Sequence, residues 1–277
     1  VTGSVWRMRL LLYNIQYGTG RLRRFAWLET LRKTTRHFDY IDRFVKAADP
    51  DLIGLVEVDA GSYRSRKRNQ AAELAKKFGY TQCHRVKYPS QSLGRRLPVL
   101  NKQANAVLSR LPLTHTAFHD FTIGFKSLAI RVETHAFTFF LVHLALGPRT
   151  RHKQLDELVH LIRSATTPVI VAGDFNTLSG AHEMKHFLKA TGLVSANHEH
   201  QPTFPSWSPK KELDFICHDP RIKPLRFRVP RIRISDHLPV LLDFELAPSP
   251  ARHPDACADN TPNSKEQHDH IPSKRHA

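Results

Sequence analysis

Apolar positions along this chain fall into short runs that stop at polar residues or glycine. Met8 to Gln16 has the pattern of a buried strand, with Leu10, Leu11, Leu12 and Ile15 as its apolar run and Gly18 and Gly20 ending it. Phe25, Leu28 and Leu31, then Phe38, Ile41, Phe44 and Val45, recur near helical spacing until Asp49-Pro50 closes the pattern. Asp51 to Val58 predicts a second strand, left at Gly61. Residues 68 to 78 put Ala71, Leu74, Ala75 and Phe78 on one face before Gly79, which predicts a short amphipathic helix with a glycine stop.

Asn105 to Leu108, Ser127 to Val132 and Ala136 to Leu144 read as strands, and the last two are close enough to be hairpin partners. Residues 151 to 163 return to helix, with a Leu155, Leu158, Val159 and Ile162 stripe beneath Arg151, Lys153 and Arg163. Val169 to Ala172, Leu213 to Cys217 and Leu238 to Leu246 are further apolar strands. So many strands with interspersed helices exceed a simple doubly wound sheet. The hairpins argue for antiparallel pairing, and two enclosed sheets need helices outside them, an α+β arrangement. A single domain over residues 8 to 246 is expected. Residues 247 to 277 mix Pro248, Pro250, Pro254, Pro262 and Pro272 with polar side chains, a composition that cannot offset chain entropy, so this tail is expected to be disordered.

At 277 residues the chain can bury a sizeable core. Its strongly apolar runs, such as Phe137 to Leu146, are about half the length a membrane-spanning helix requires. No secretory signal is visible, and Cys83, Cys217 and Cys257 are too scattered for a disulfide framework. A cytoplasmic monomer with reduced thiols is expected. The charge is more informative: 42 Lys and Arg against 25 Asp and Glu give +17. In the tail Arg252, Lys265, Lys274 and Arg275 balance Asp255, Asp259, Glu266 and Asp269, so the excess belongs to the expected domain. A domain this basic meets polyanions: nucleic acid, an anionic membrane or a phosphorylated small molecule. A basic surface that serves solubility alone is the other reading.

Polar residues recur where the apolar strands end. Asn14 ends the first, Glu57 the second and His143 a third; Gly173-Asp174-Phe175-Asn176 ends a fourth, Asp214 opens another, and Asp236-His237 open the last. Singly, each has a plain reading as a turn former, a strand cap or a solvated acid. Together they describe rigid strands that either share one wet cleft, with oxygen ligands for one or more hard cations such as Mg²⁺, or lie apart. Burying that many acids without a cation or donors would be costly.

The order of YNIQYG at 13 to 18, DLIGLVEVD at 51 to 59, NAVLSRLPL at 105 to 113, VHL at 142 to 144, GDFN at 173 to 176, LDFI at 213 to 216 and SDHLPV at 235 to 240 resembles the endonuclease/exonuclease/phosphatase superfamily, on its deoxyribonuclease and sphingomyelinase side. The resemblance implies a four-layer αββα sandwich of two mixed sheets flanked by helices, and Mg²⁺-dependent hydrolysis of a phosphoester, with Mn²⁺ as a substitute. It implies Glu57 as the main metal ligand with Asn14 beside it and Asp236 as a metal-associated acid. Asp174 would orient or deprotonate the attacking water, Asn176 would hydrogen-bond the phosphate, Asp214 would orient His237, and His143 would face the phosphate. Asp59, two residues beyond Glu57, is either a second metal's ligand or a turn or surface acid. Val56 and Ala104 stand where many relatives have Gln and Gly, which bears on the branch and removes no functional group.

With the basic domain, these residues point to a nuclease acting on nucleic-acid phosphodiesters. A phospholipid or sphingomyelin phosphodiesterase or a phosphatase is the alternative, with anionic lipid as partner, and a basic nucleic-acid-binding protein with an inactive site is a second. Basic runs follow the site strands: Arg21, Arg23 and Arg24, then Arg64, Arg66, Lys67 and Arg68, then Arg149, Arg151 and Lys153. Arg64, Arg66, Arg68, Arg149 and Arg151 are expected to ring the cleft and hold the phosphate backbone.

Overall fold

The computed structural model describes residues 6–19, 30–87, 100–124 and 128–246. Phe25, Leu28, Ser127, the basic residues 21 to 24 and the tail from 247 lie outside the described residues.

The strands are β1 (Trp6–Asn14), β2 (Leu52–Asp59), β3 (Thr81–Val86), β4 (Gln103–Ser109), β5 (His115–Asp120) and β6 (Leu128–Glu133). β7 (Thr138–His143), β8 (Val169–Asp174), β9 (Val194–Ser195), β10 (Asp214–His218), β11 (Ile222–Arg228) and β12 (Val240–Leu246) follow. The helices are α1 (Thr30–Ala48), α2 (Gln70–Phe78), α3 (Pro148–Arg163) and α4 (Met184–Thr191). They build two mixed six-stranded sheets, in the orders β11-β12-β1-β2-β4-β3 and β5-β6-β7-β8-β10-β9. This is the expected α+β sandwich. Each sheet has one parallel pair at its centre, β1 with β2 and β7 with β8, flanked by antiparallel strands. In each the central pair is joined through a helix, α1 or α3. The β6–β7 hairpin forms as its spacing predicts.

The central strands are apolar on both faces because both faces are buried. Leu10 and Leu12 of β1 meet Phe139, Leu141, Ile170 and Ala172 between the sheets. Leu11 and Tyr13 point the other way, onto Phe38, Ile41 and Val45 of α1. On the far side of the second sheet, Phe140, Val142 and Val171 pack beneath Leu155, Leu158 and Ile162 of α3 and Met184 and Phe187 of α4. Local signals set the helix ends. Asn69 accepts a hydrogen bond from the Ala72 amide at the start of α2, and Gly79 ends it at φ 73° in the left-handed region. The chain thus forms four layers around three apolar seams.

One glycine marks how closely β7 and β8 approach. A Cβ on Gly173 would lie 2.0 Å from the Val142 carbonyl oxygen, which is backbone and cannot yield. Gly173→Ala should therefore cost about 3 kcal/mol or more. A Cβ on Gly79 meets nothing within 4 Å, so Gly79→Ala should cost only about 1 kcal/mol for its positive φ. Denaturant midpoints of the two variants check this; equal losses would contradict the close approach.

Candidate active site

The period of two in a strand carries the inner faces of both sheets directly into the site. On β1 the inward row is Leu10, Leu12 and then Asn14. On β7 it is Phe139, Leu141 and His143, and on β8 it is Ile170, Ala172 and Asp174. On β10, Asp214 shares its row with Ile216 and pairs across the ladder with Asp174. Where the apolar seam ends, the same rows continue as polar residues. Glu57 breaks the rule. Leu52 and Val56 face the seam, so Glu57 would point outward, but the ladder slips between Leu55 and Val58 and Glu57 adopts φ 58°. Such a bulge with a non-glycine left-handed residue costs about 1 kcal/mol or more and turns the side chain toward the other acids. Asn176 has the same hand, at φ 52°.

These residues meet through direct contacts. Asn14 Nδ2 donates to Asp174 Oδ2 at 3.0 Å. His143 Nε2 lies 3.5 Å from Asp174 Oδ2 and its Nδ1 lies 3.9 Å from Glu57 Oε1. His237 Nδ1 is 2.7 Å from Asp214 Oδ2, its Nε2 is 3.8 Å from Asp174 Oδ2, and Phe204 packs on the ring with centroids 4.9 Å apart. Asn176 receives its orientation from the Leu144 carbonyl, to which Nδ2 donates at 2.8 Å, and its amide donates to Asp174 Oδ1 at 3.0 Å. Ser235 anchors the last segment by donating to the Asn14 carbonyl at 2.7 Å.

Burial disfavours the charged ring of His237, but Asp214, Asp174 and Asp236 together outweigh it and push its pKa up to about 10. Burial likewise raises the Asp236 carboxyl above its usual range; His237 opposes that shift and Glu57 adds to it. Glu57 thus opposes the ionised form of Asp236 even with Lys87 Nζ at 3.4 Å from Glu57 Oε1, and a divalent cation between these oxygen donors would relieve the remaining repulsion. Asp174, Asp214 and His237 also bring ligand atoms within 4.8 Å of one another, a group that could hold a metal. The 2.7 Å contact from Asp214 to His237 occupies Nδ1, however, and the hard oxygen donors Glu57 and Asp236 suit Mg²⁺ better than an imidazole does.

Asp59 takes no part. Fully buried, it accepts from the Gly61 and Ser62 amides and from both the Ser62 and Ser65 hydroxyls, so it is the turn acid and not a surface one. The expected basic ring is reduced. Arg66, Lys67 and Arg149 are exposed, whereas the side chain of Arg64 lies outside the described residues. Arg68 binds Glu73 of α2 and stacks over Phe38 of α1. Arg151 is fully buried: Nε donates to Glu183 at 2.9 Å and Nη1 to the Ala145 and Leu146 carbonyls. A guanidinium so engaged holds the loop after His143 and cannot ring the cleft. Sequence reasoning also passed over Lys87, buried beside Glu57 and His143, and the exposed Arg231 and Arg233 that lead into Asp236.

The family model described as Endonuclease/Exonuclease/phosphatase family matches residues 11–237, and the chain belongs to this family. A UPF0294 protein of Yersinia pestis is 26% identical over 242 residues, covering 86% of this chain and 84% of that protein. An endonuclease/exonuclease/phosphatase family protein from Bacteroides thetaiotaomicron superposes with a TM-score of 0.68 at 15% identity, over 91% of this chain and 99% of that one. A mannosyl-6-phosphatase of the same organism superposes with a TM-score of 0.63 at 16% identity, over 86% and 99%. Family membership supports phosphodiesterase or phosphatase activity. No helix among the described residues is long and apolar enough to cross a membrane.

The buried Arg151–Glu183 pair gives a stability test. Arg151→Ala leaves an unpaired buried carboxylate and should cost about 3 to 5 kcal/mol. Arg149→Ala, at an exposed position, should change stability by no more than about 0.5 kcal/mol. Chemical denaturation distinguishes them, and near-equal midpoints would refute the structural role of Arg151.

Proposed function

We propose that the protein is a divalent-metal-dependent phosphodiesterase that uses Mg²⁺, accepts Mn²⁺, and cleaves nucleic-acid phosphodiester bonds. The observation that carries this reading is the pairing of two unlike groups at one mouth: the Asp214–His237 contact at 2.7 Å, and the mutually repelling carboxylates Glu57 and Asp236. Glu57, with Asn14 beside it and Asp236, would hold the metal, which when bound supplies neutralisation of the charge that develops on the phosphoryl oxygens. His237, kept protonated by Asp214, donates to those oxygens. Asp174 orients or deprotonates the attacking water, aimed by the Asn14 amide that donates to it. Asn176 and His143 face the phosphate from the ends of β8 and β7.

The nucleic-acid substrate is supported by the +17 charge and by exposed Arg66, Lys67, Arg149, Arg231 and Arg233 on segments that adjoin the site strands. One observation favours a lipid phosphodiester instead. Tyr63, Leu146, Leu178 and Trp207 are exposed on segments that adjoin Glu57, His143, Asn176 and Asp214, and aliphatic side chains there suit an acyl boundary better than a sugar-phosphate chain.

Three outcomes are expected. Excess EDTA should abolish hydrolysis of bis(4-nitrophenyl) phosphate, and Glu57→Gln should raise the Mg²⁺ concentration required while greatly slowing turnover; full activity in EDTA would sink the metal assignment. Asp214→Asn, His237→Ala and the double variant should lose similar amounts of kcat, because the two residues act as a unit; additive losses would separate them. Cleavage of DNA, RNA and anionic vesicles across a salt series decides the substrate. Steep salt dependence, flattened by reversing Arg66 and Lys67, supports a nuclease; vesicle hydrolysis far faster than salt-insensitive DNA cleavage supports the lipid reading.

A further inference from the structure

The roles above leave Lys87 unused, although its side chain is only 2% exposed. Burying an ammonium is costly without paired groups, so its surroundings indicate its task. Nζ lies 3.0 Å from His143 Nδ1, 3.4 Å from Glu57 Oε1 and 3.4 Å from Tyr17 Oη, with the Tyr17 ring centroid 5.3 Å away. The residue comes from the end of β3, next to β4 at the edge of the first sheet, and so reaches the site from a side that no other site residue uses.

An ammonium has three donors and no acceptor. Facing it at 3.0 Å, Nδ1 of His143 is placed to accept, which leaves the ring's N–H to Nε2, 3.5 Å from Asp174 Oδ2. Without Lys87 the same Nδ1 faces Glu57 Oε1 at 3.9 Å, a carboxylate that favours a proton on that nitrogen. Lys87 also places a fixed positive charge on the carboxylate proposed to hold the metal.

We infer that Lys87 is a positioning residue: it fixes His143 as the Nε2–H tautomer, directed at Asp174 and the phosphate, and it shares Glu57 with the metal as a cation of the protein's own. The second half rests on the proposed metal-dependent reaction, the first does not. Lys87 therefore weakens metal binding while promoting turnover, two effects of opposite sign that a structural lysine would not produce. A residue that only braced the fold would lower both together.

The test compares wild type with Lys87→Met, which keeps the length of the stem and removes the charge, and with Lys87→Gln should the Met variant fail to fold. By calorimetric titration the variant should bind Mn²⁺ roughly tenfold more tightly, because a like charge beside the ligand is gone. Its kcat on bis(4-nitrophenyl) phosphate should fall roughly 10- to 100-fold, with KM changed much less. Long-range ¹H–¹⁵N spectra recorded without metal should move His143 from the Nε2–H form toward Nδ1–H. Mn²⁺ affinity that is unchanged or weaker, together with a wild-type His143 tautomer, would overturn the inference. Wild-type protein that fails to bind Mn²⁺ would instead remove the metal-dependent reading, and the tautomer spectra would still decide the role of Lys87 at His143.

Discussion

A single hydrogen bond, from Asn14 to Asp174, joins two residues 160 positions apart and ties one sheet to the other at the mouth of the sandwich. It forms because both side chains lie on inward-facing rows whose earlier members are Leu10, Leu12, Ile170 and Ala172 in the shared core. The apolar seam sets the spacing and register of the two sheets, and the site takes its geometry from that seam. His143 and Asp214 arrive by the same route on β7 and β10. Packing therefore supplies rigidity to the strand residues, while Asn176, Asp236 and His237 stand on segments that leave or enter the strands.

Electrostatics then divides the site into two unlike parts. On one side Asp214, Asp174 and Asp236 keep His237 protonated against the cost of burial. On the other, burial and the Glu57 carboxylate hold Asp236 above its usual range, and this is the side proposed to take the cation. Glu57 reaches that side only through a left-handed bulge, so local backbone strain and carboxylate repulsion fall on the same residue. Strain of this kind persists where packing over-determines it, and here the strands on both sides of β2 do so.

Much of this was legible in the chain. The buried strands announce themselves as apolar runs, α2 by its stripe and Gly79, and the order of polar strand ends carries the resemblance that the family match bears out. What stayed hidden has physical reasons. β3, β5 and β11 lie at sheet edges and are half exposed, so they lack an apolar run to mark them. Arg151 reads as an outer-face residue of α3, but α4 and the segment before it bring Glu183 over it, and nothing local signals that cover. The bulge at Glu57 is likewise invisible: in a strand buried on both faces, either parity reads as core. Lys87 sits in no motif, and only the fold brings it to Glu57.

Anomalous diffraction from crystals soaked in Mn²⁺ locates the cation without reference to any substrate. A peak bound by the Glu57 carboxylate, on the Asp236 side, is expected at the roughly 2.2 Å typical of a hard divalent ion and oxygen. His237 and Asp214 should remain paired beside it. A peak seated instead among Asp174, Asp214 and His237, with that pair broken, would contradict the division of the site into a metal half and an imidazolium half.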